Sequence, residues 1–258
     1  MKGGKPLLEI RNVKKSFGGI RAVDGVSFEV NPGRIKAIIG PNGAGKTTLF
    51  NLISGLYPLD SGEIRFKGRR ISGLKPHRIA SMGIVRTFQN VRLFPEMTVL
   101  ENVMVGAHRL GKSGFLASIF KLPGTVREER RIREIAMEML EFVGLADQAD
   151  LPAGELPLGR QRLVELARAL AARPELLLLD EPAAGLNIKE TEELGELIVR
   201  IRERGVTIAL IDHDMSLVMD ISDEVVALNE GRKIAEGTPE EIRSNPLVIK
   251  AYLGEEGL

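Results

Sequence analysis

The stretch Gly40-Pro41-Asn42-Gly43-Ala44-Gly45-Lys46-Thr47-Thr48 constrains this chain more than any other. It satisfies G-x-x-x-x-G-K-[ST] in full and lies between two segments of the right kind. Ile35–Ile39 is a short, mostly apolar run that reads as a strand, and Thr47–Leu56 places Leu49, Leu52, Ile53 and Leu56 on one helical face. Glycines let successive backbone N–H groups turn inward onto phosphate oxygens, and the following helix adds its positive N-terminal end. Lys46 can reach β- and γ-phosphates, and the Thr47 hydroxyl is a Mg²⁺ ligand type. Gly40, Asn42, Gly43, Ala44, Gly45, Lys46, Thr47 and Thr48 are therefore the expected phosphate-binding set. By itself this loop implies an NTP-binding protein and no more.

What surrounds the loop narrows the class. A chain of 258 residues with 43% apolar composition can bury a sizeable core as one large domain, or as one domain with an insertion. With 36 basic against 35 acidic side chains, the whole molecule presents no strong field toward nucleic acid or anionic lipid, and no nucleic-acid partner is expected. The lack of cysteine removes disulfides, thiolate metal sites and Cys nucleophiles, and it suits a reducing cytosol. The start, MKGGKPLLEIRNV, has no apolar core of signal-peptide length, so secretion is not expected. No run approaches the roughly 18 apolar residues of a spanning helix; even Leu176–Leu179 stops at Asp180. Any membrane role requires other chains to do the spanning.

Periodicity organises the rest. Residues 7–30 carry short strand-like segments, such as Val26, Phe28 and Val30 alternating up to Asn31-Pro32-Gly33, and read as an antiparallel sheet. Further strands are expected at Glu63–Phe66 and Ile84–Phe88. Residues 98–150 lose strand character, and Val126–Val143 sets Ile132, Ile135, Met139 and Phe142 at helical spacing among Arg and Glu. Residues of about 90–160 are thus expected to form a mostly helical subdomain, with Lys112–Thr125 a loop with an apolar tip. From Arg160 on, helix and strand alternate: a helix to about Ala172, a buried strand Leu176–Asp180, a helix near 189–204, and strands at 206–211 and 224–228. Such alternation predicts a mostly parallel sheet covered by helices.

Two strand ends carry further chemistry. Leu176–Glu181 delivers Asp180 and Glu181 at the carboxyl edge of a buried strand, where ligands bind in open α/β sheets. An acidic pair closing a strand can simply cap a helix. Joined to the phosphate loop, Asp180 reads as a Mg²⁺ partner and Glu181 as the group that polarises the attacking water. His213, in Leu210-Ile211-Asp212-His213-Asp214, ends another buried strand, where an imidazole N–H can donate to a γ-phosphate. Gln89 can likewise place a side-chain oxygen on Mg²⁺ or on the water. Alone, neither residue type would carry weight.

In this order the pieces resemble the ATPase subunits of ABC transporters over essentially the whole chain. The fold implied is α/β: a P-loop NTPase core of about residues 1–90 and 160–258 with a mostly parallel sheet and an antiparallel β subdomain, interrupted by an inserted α-helical subdomain of about 90–160. Phe17, in Lys15-Ser16-Phe17-Gly18-Gly19, matches the family's adenine-stacking aromatic. Leu156-Pro157-Leu158-Gly159-Arg160-Gln161-Arg162 stands where the family has its LSGGQ signature, Pro182–Asn187 matches the loop after the second carboxylate, and His213 falls on the switch histidine. The signature departs from the pattern. Pro157 replaces the Ser whose hydroxyl contacts the γ-phosphate held by the partner subunit, and proline has neither hydroxyl nor N–H. Gly159 keeps the close-approach glycine, the helix start near Arg160 can still face an anion, and Arg160 can supply part of the missing charge complementarity. Asn187 stands where the family usually has Asp.

A narrower resemblance rests on Arg86-Thr87-Phe88-Gln89-Asn90-Val91-Arg92-Leu93-Phe94, the insert around 106–127, PAAGLN, and the ending from Glu236-Gly237-Thr238-Pro239 through Asn245-Pro246 to Ala251-Tyr252-Leu253-Gly254. These segments look like the larger ATPase of branched-chain amino-acid uptake systems. The resemblance implies ATP and Mg²⁺ as cofactors and two ATPase subunits, paired with a copy or with a second, related ATPase. It further implies integral-membrane permease subunits docked near the helical subdomain, a periplasmic or extracellular solute-binding protein reached indirectly, and a peripheral position on the cytoplasmic face of the plasma (inner) membrane. Relatives serving urea and short amides, lipid-export ATPases, and soluble ABC ATPases of DNA repair or translation are the alternatives. The last usually carry coiled-coil or zinc inserts or two cassettes, which are not seen here.

Overall fold

The computed structural model describes residues 5–89, 91–108 and 123–253. Asn90, Gly254 and most of Lys112–Thr125 lie outside them, and the last residues of that expected loop instead open a helix at Pro123. Two compact units result. The first comprises the chain up to Arg86, Glu175–Ala184 and the part from Ile188 on; the second comprises Thr87–Pro174 and Gly185–Asn187.

The first unit holds two sheets. One is antiparallel, built from β1 (Leu8–Phe17), β2 (Ile20–Val30), β4 (Ser61–Phe66) and β5 (Arg69–Arg70) in the order β2-β1-β4-β5. Its register pairs Ile10 with Phe28 and with Ile64, so alternate side chains line one buried face. The other combines β3 (Ile35–Ile39), β6 (Ile84–Arg86), β7 (Leu176–Asp180), β8 (Thr207–Ile211), β9 (Glu224–Asn229) and β10 (Arg232–Gly237) in the order β10-β9-β3-β8-β7-β6. Every pairing in it is parallel except β10 with β9. Every residue of β3, β7 and β8 is buried, which explains why these strands read as continuous apolar runs rather than as alternations.

Helix α1 (Lys46–Ile53) contributes Leu49, Phe50, Leu52 and Ile53 to one core cluster that takes side chains from both sheets. Helices α2 (Pro76–Ser81), α6 (Ile188–Glu203), α7 (Met215–Ile221), α8 (Pro239–Arg243) and α9 (Pro246–Leu253) complete this unit. Strand β6 is shorter than the sequence pattern suggests: it ends at Arg86, and Thr87–Gln89 run on without strand pairing.

In the second unit α3 (Val99–Ala107), α4 (Pro123–Val143) and α5 (Leu158–Ala171) pack on one another. A capping box closes the start of α3, with Thr98 and Glu101 each satisfying the other's backbone N–H. Helix α3 crosses α5 closely enough that a Cβ at Gly106 would collide with the Arg168 carbonyl oxygen. Helix α5 begins at Leu158, two residues earlier than expected, with Pro157 as its N-cap.

Candidate active site

The strand order places β8 between β3 and β7, so the loops leaving those three carboxyl ends are neighbours along one edge of the sheet. Gly40-to-Thr48 follows β3, Glu181 follows β7, and Asp212-His213 follow β8. The phosphate loop needs its glycines for two reasons. Gly43 and Gly45 take φ values of 81° and 100°, which side-chain-bearing residues disfavour. At Gly45 a Cβ would strike the Ala22 carbonyl oxygen, and at Gly40 that of Leu228. Gly43 faces open space. The N–H of Ala44 donates to the Pro41 carbonyl at 3.1 Å, which closes the turn.

Lys46 is the first residue of α1 and is buried. Its ammonium donates to the carbonyls of Gly40 (2.6 Å) and Pro41 (3.0 Å). Burial pushes its pKa below the usual lysine range, while Glu181 and then Asp180 pull it back up. A cation at the positive end of a helix is electrostatically uphill. The first turn of α1 also carries no acidic residue, and Gly45 offers no side-chain cap. Lysine ammonium, uncapped helix N–H groups and an open glycine loop form a donor set with no anionic partner of its own on α1, which is the chemistry that fits a polyphosphate.

Asp180 closes β7, and its Oδ2 accepts from Arg86 Nη2 at 2.6 Å, both side chains being buried. Arg86 also reaches α1, donating through Nη1 to Asn51 Oδ1 (2.7 Å) and Ser54 Oγ (3.2 Å). Arginine thus supplies the charge partner that a buried carboxylate requires. It also joins the helix after the phosphate loop to the strand that carries Asp180.

Glu181 departs from the sheet with φ of 50°, left-handed for a residue that is not glycine. Its N–H donates to Ile211 O at 2.7 Å, and its own carbonyl accepts from the Ala184 N–H at 3.2 Å. The Glu181 carboxylate lies 2.8 Å from the His213 ring nitrogen Nε2. The structure therefore brings these two expected site residues onto each other. Behind them Asp212, 4% exposed, accepts from the N–H groups of His213 (2.7 Å) and Asp214 (3.0 Å) on one oxygen and of Ala183 (3.0 Å) on the other. Burial raises its pKa against the pull of those three donors. Asp212 ties the turn after Glu181 to the segment of His213.

Phe17 ends β1 half-exposed, edge-on to Tyr57 with ring centroids 5.2 Å apart and Lys15 Nζ 5.3 Å from its ring. Asn42 and Thr47 are exposed, and Thr48 is partly so. Gln89 is exposed in the second unit, where Arg162 Nη2 donates to its carbonyl at 3.2 Å. Gly159 lies in the first turn of α5, between the exposed Leu158 and Arg160. Among the described residues no group of three or more His, Cys, Asp or Glu side chains is arranged to hold a metal ion. Sequence reasoning misses Arg86 and Asp212 as site residues, although Arg86 opens the Arg86–Phe94 segment and Asp212 immediately precedes His213.

Residues 23–184 match the ABC transporter family, and residues 232–257 match the family described as branched-chain amino acid ATP-binding cassette transporter. The chain is 52% identical over 252 residues to the high-affinity branched-chain amino acid transport ATP-binding protein BraF of Pseudomonas aeruginosa, with 97% of this chain and 99% of that protein covered. It is 48% identical over 252 residues to the corresponding LivG protein of Escherichia coli K12, with the same coverage. Among solved structures, the ADP conformation of MJ1267, an ATP-binding cassette of an ABC transporter, superposes with a TM-score of 0.85 at 36% identity, covering 98% of this chain and 100% of that one. The dimeric post-hydrolysis state of the cassette MJ0796, bound to ADP and Pi, gives 0.76 at 26% identity, with 90% and 98% covered.

Proposed function

The chain belongs to the ATP-binding cassette family of ABC transporters, and from that membership we propose that it energises import of branched-chain amino acids. ATP binding and hydrolysis follow from the family. The solute is inferred chiefly from the match of residues 232–257, because the ATPase core is common to cassettes that serve unrelated cargo.

In the proposed site the loop from Gly40 to Thr48 holds the phosphates, Lys46 neutralises charge on them, and Phe17 stacks on the adenine. Mg²⁺, held by Thr47 and Asp180 together with phosphate oxygens, would supply charge neutralisation on the transferring group. Glu181 orients the attacking water, and its contact with His213 supports a joint role for the pair, in which the imidazole holds the carboxylate until a γ-phosphate offers the ring N–H another acceptor. Gly159 and the open start of α5 act on the nucleotide of a second ATPase subunit, which is either a copy of this chain or a related protein.

No described helix is long and apolar enough to cross a membrane. The reading therefore calls for separate permease subunits, with this chain peripheral on the cytoplasmic face and a solute-binding protein acting on the far side. Uptake of labelled leucine, urea and a short amide in cells lacking this chain, with and without complementation, tests the solute. Leucine uptake is expected to fall and to return on complementation. Loss of urea or amide uptake with leucine unaffected would transfer the chain to those relatives.

A further inference from the structure

Helix α9 reaches back to the phosphate loop. The Gly40 N–H donates to the Tyr252 hydroxyl at 2.8 Å, across 212 residues of sequence. Gly40 is buried and has little freedom to move: its φ is 150°, and the Leu228 carbonyl blocks the side where a Cβ would stand. Its carbonyl in turn accepts from Lys46 Nζ at 2.6 Å. One residue thus links the C-terminal helix to the ammonium at the start of α1.

The seating of α9 is uneven. Val248 is buried, whereas Leu247 and Ile249 are exposed. A cavity of about 460 Å³ lies between α9 and α7, lined by Met215, Met219, Ile242, Val248, Ile249 and Tyr252. With that gap beside it, the Tyr252 end of the helix is fixed by its polar bond more than by close packing. Burial holds the phenol above its usual pKa, so it stays neutral near pH 7. The Tyr252 oxygen is the acceptor that the buried Gly40 N–H requires, since an unpaired buried N–H is costly.

We propose that Tyr252 is a positioning residue for the phosphate loop, setting Gly40, and through it Lys46, in the geometry that receives the phosphates of a nucleotide. The inference rests on the reading of that loop as the ATP site. It gives α9 a part in nucleotide affinity without contact with the nucleotide. Loss of the hydroxyl leaves the chemistry at Glu181 untouched, so the effect falls on binding and not on the hydrolytic step.

The test compares purified wild-type chain with Tyr252→Phe and Tyr252→Leu. Equilibrium binding of ATP and ADP, steady-state ATPase kinetics, and amide exchange of the peptide containing Gly40 are measured on each. Both variants are expected to bind ATP and ADP about fivefold more weakly, the scale of one lost hydrogen bond. KM should rise in step, kcat should stay within about twofold, and the Gly40 amide should exchange faster. Nucleotide affinity unchanged in either folded variant, or a loss confined to kcat, overturns the proposal. Failure of the wild-type chain to bind ATP at all would instead remove the reading on which it rests.

Discussion

Glu181 sits in left-handed backbone, a conformation that costs roughly 1–3 kcal/mol for a residue with a side chain. That cost is sustained by two main-chain bonds, to Ile211 and from Ala184, which leave the carboxylate beside His213. Glutamine keeps the shape of the side chain and can still hydrogen-bond to the imidazole, but it removes the charge proposed to polarise the attacking water. Glu181→Gln is therefore expected to leave ATP affinity within about threefold while turnover falls at least about 100-fold. The variant should also accumulate as an ATP-bound dimer on gel filtration. Hydrolysis at the wild-type rate would remove Glu181 from its role. Glu181 and His213 were legible because each ends a buried apolar run. Asp212 and Arg86 were not. A carboxylate that accepts three main-chain N–H groups, or a guanidinium bridging a helix and a strand, makes contacts set by tertiary structure, and neither leaves a spacing in the chain. The traces in the chain were slight: Arg86 opens the Arg86–Phe94 segment, and Asp212 immediately precedes His213.

Helix α5 shows what one substitution does to an element. Pro157 is its N-cap and makes no side-chain cap bond, and the first turn carries no acidic residue. The start of the helix is thus electropositive and open. Farther along, Arg162 and Arg168 donate to the carbonyls of Gln89 and Arg92, and Glu165 accepts from the N–H groups of Phe88 and Arg92. One helix therefore grips the main chain around Gln89 through side chains spaced three residues apart, on a single face. Pro157→Ser would restore both a cap and a hydroxyl directed at a partner's nucleotide. The cap should raise thermal stability whether or not ATP is present, by about 1 kcal/mol. ATP-dependent dimerisation should strengthen separately, and an equal dimer fraction on gel filtration would show that the hydroxyl has no part in the interface. The long helices and buried strands were readable because they span enough turns or residues for a period to register. Helices α2, α7 and α8, of six, seven and five residues, are too short for that. In the structure α8 is closed by a capping box, Thr238 with Glu241, which periodicity does not measure. Strand β6 ran short of its pattern: Thr87 stays buried although the strand ends at Arg86, so burial continues past the last paired residue.

At the scale of the whole chain, the order of elements settled the fold class. Buried strands alternating with amphipathic helices can close only as a helix-covered parallel sheet, and the glycine loop located its functional edge. The sequence departs from the family pattern at Pro157 and Asn187, and in the proposed reading the consequences of Pro157 extend beyond one chain. The proposed site needs two ATPase subunits: this chain supplies the phosphate loop and Glu181 to one nucleotide, and Gly159 with the start of α5 to another. Ile188, the first residue of α6 after the Glu181 turn, is 81% exposed, which suits a segment completed by a partner. An isolated chain should then hydrolyse ATP at a rate per chain that rises with its own concentration, because the active form is assembled by mass action. Going from a tenth to nine tenths dimer takes roughly three decades of concentration whatever the affinity, and Pro157→Ser should move that whole rise to lower concentration. Adding a related second ATPase subunit should raise the rate at concentrations where this chain alone is nearly inactive. A rate per chain that stays flat on dilution, with ATP saturating throughout, would mean that one chain carries a complete site and that the open end of α5 serves something other than a neighbour's nucleotide.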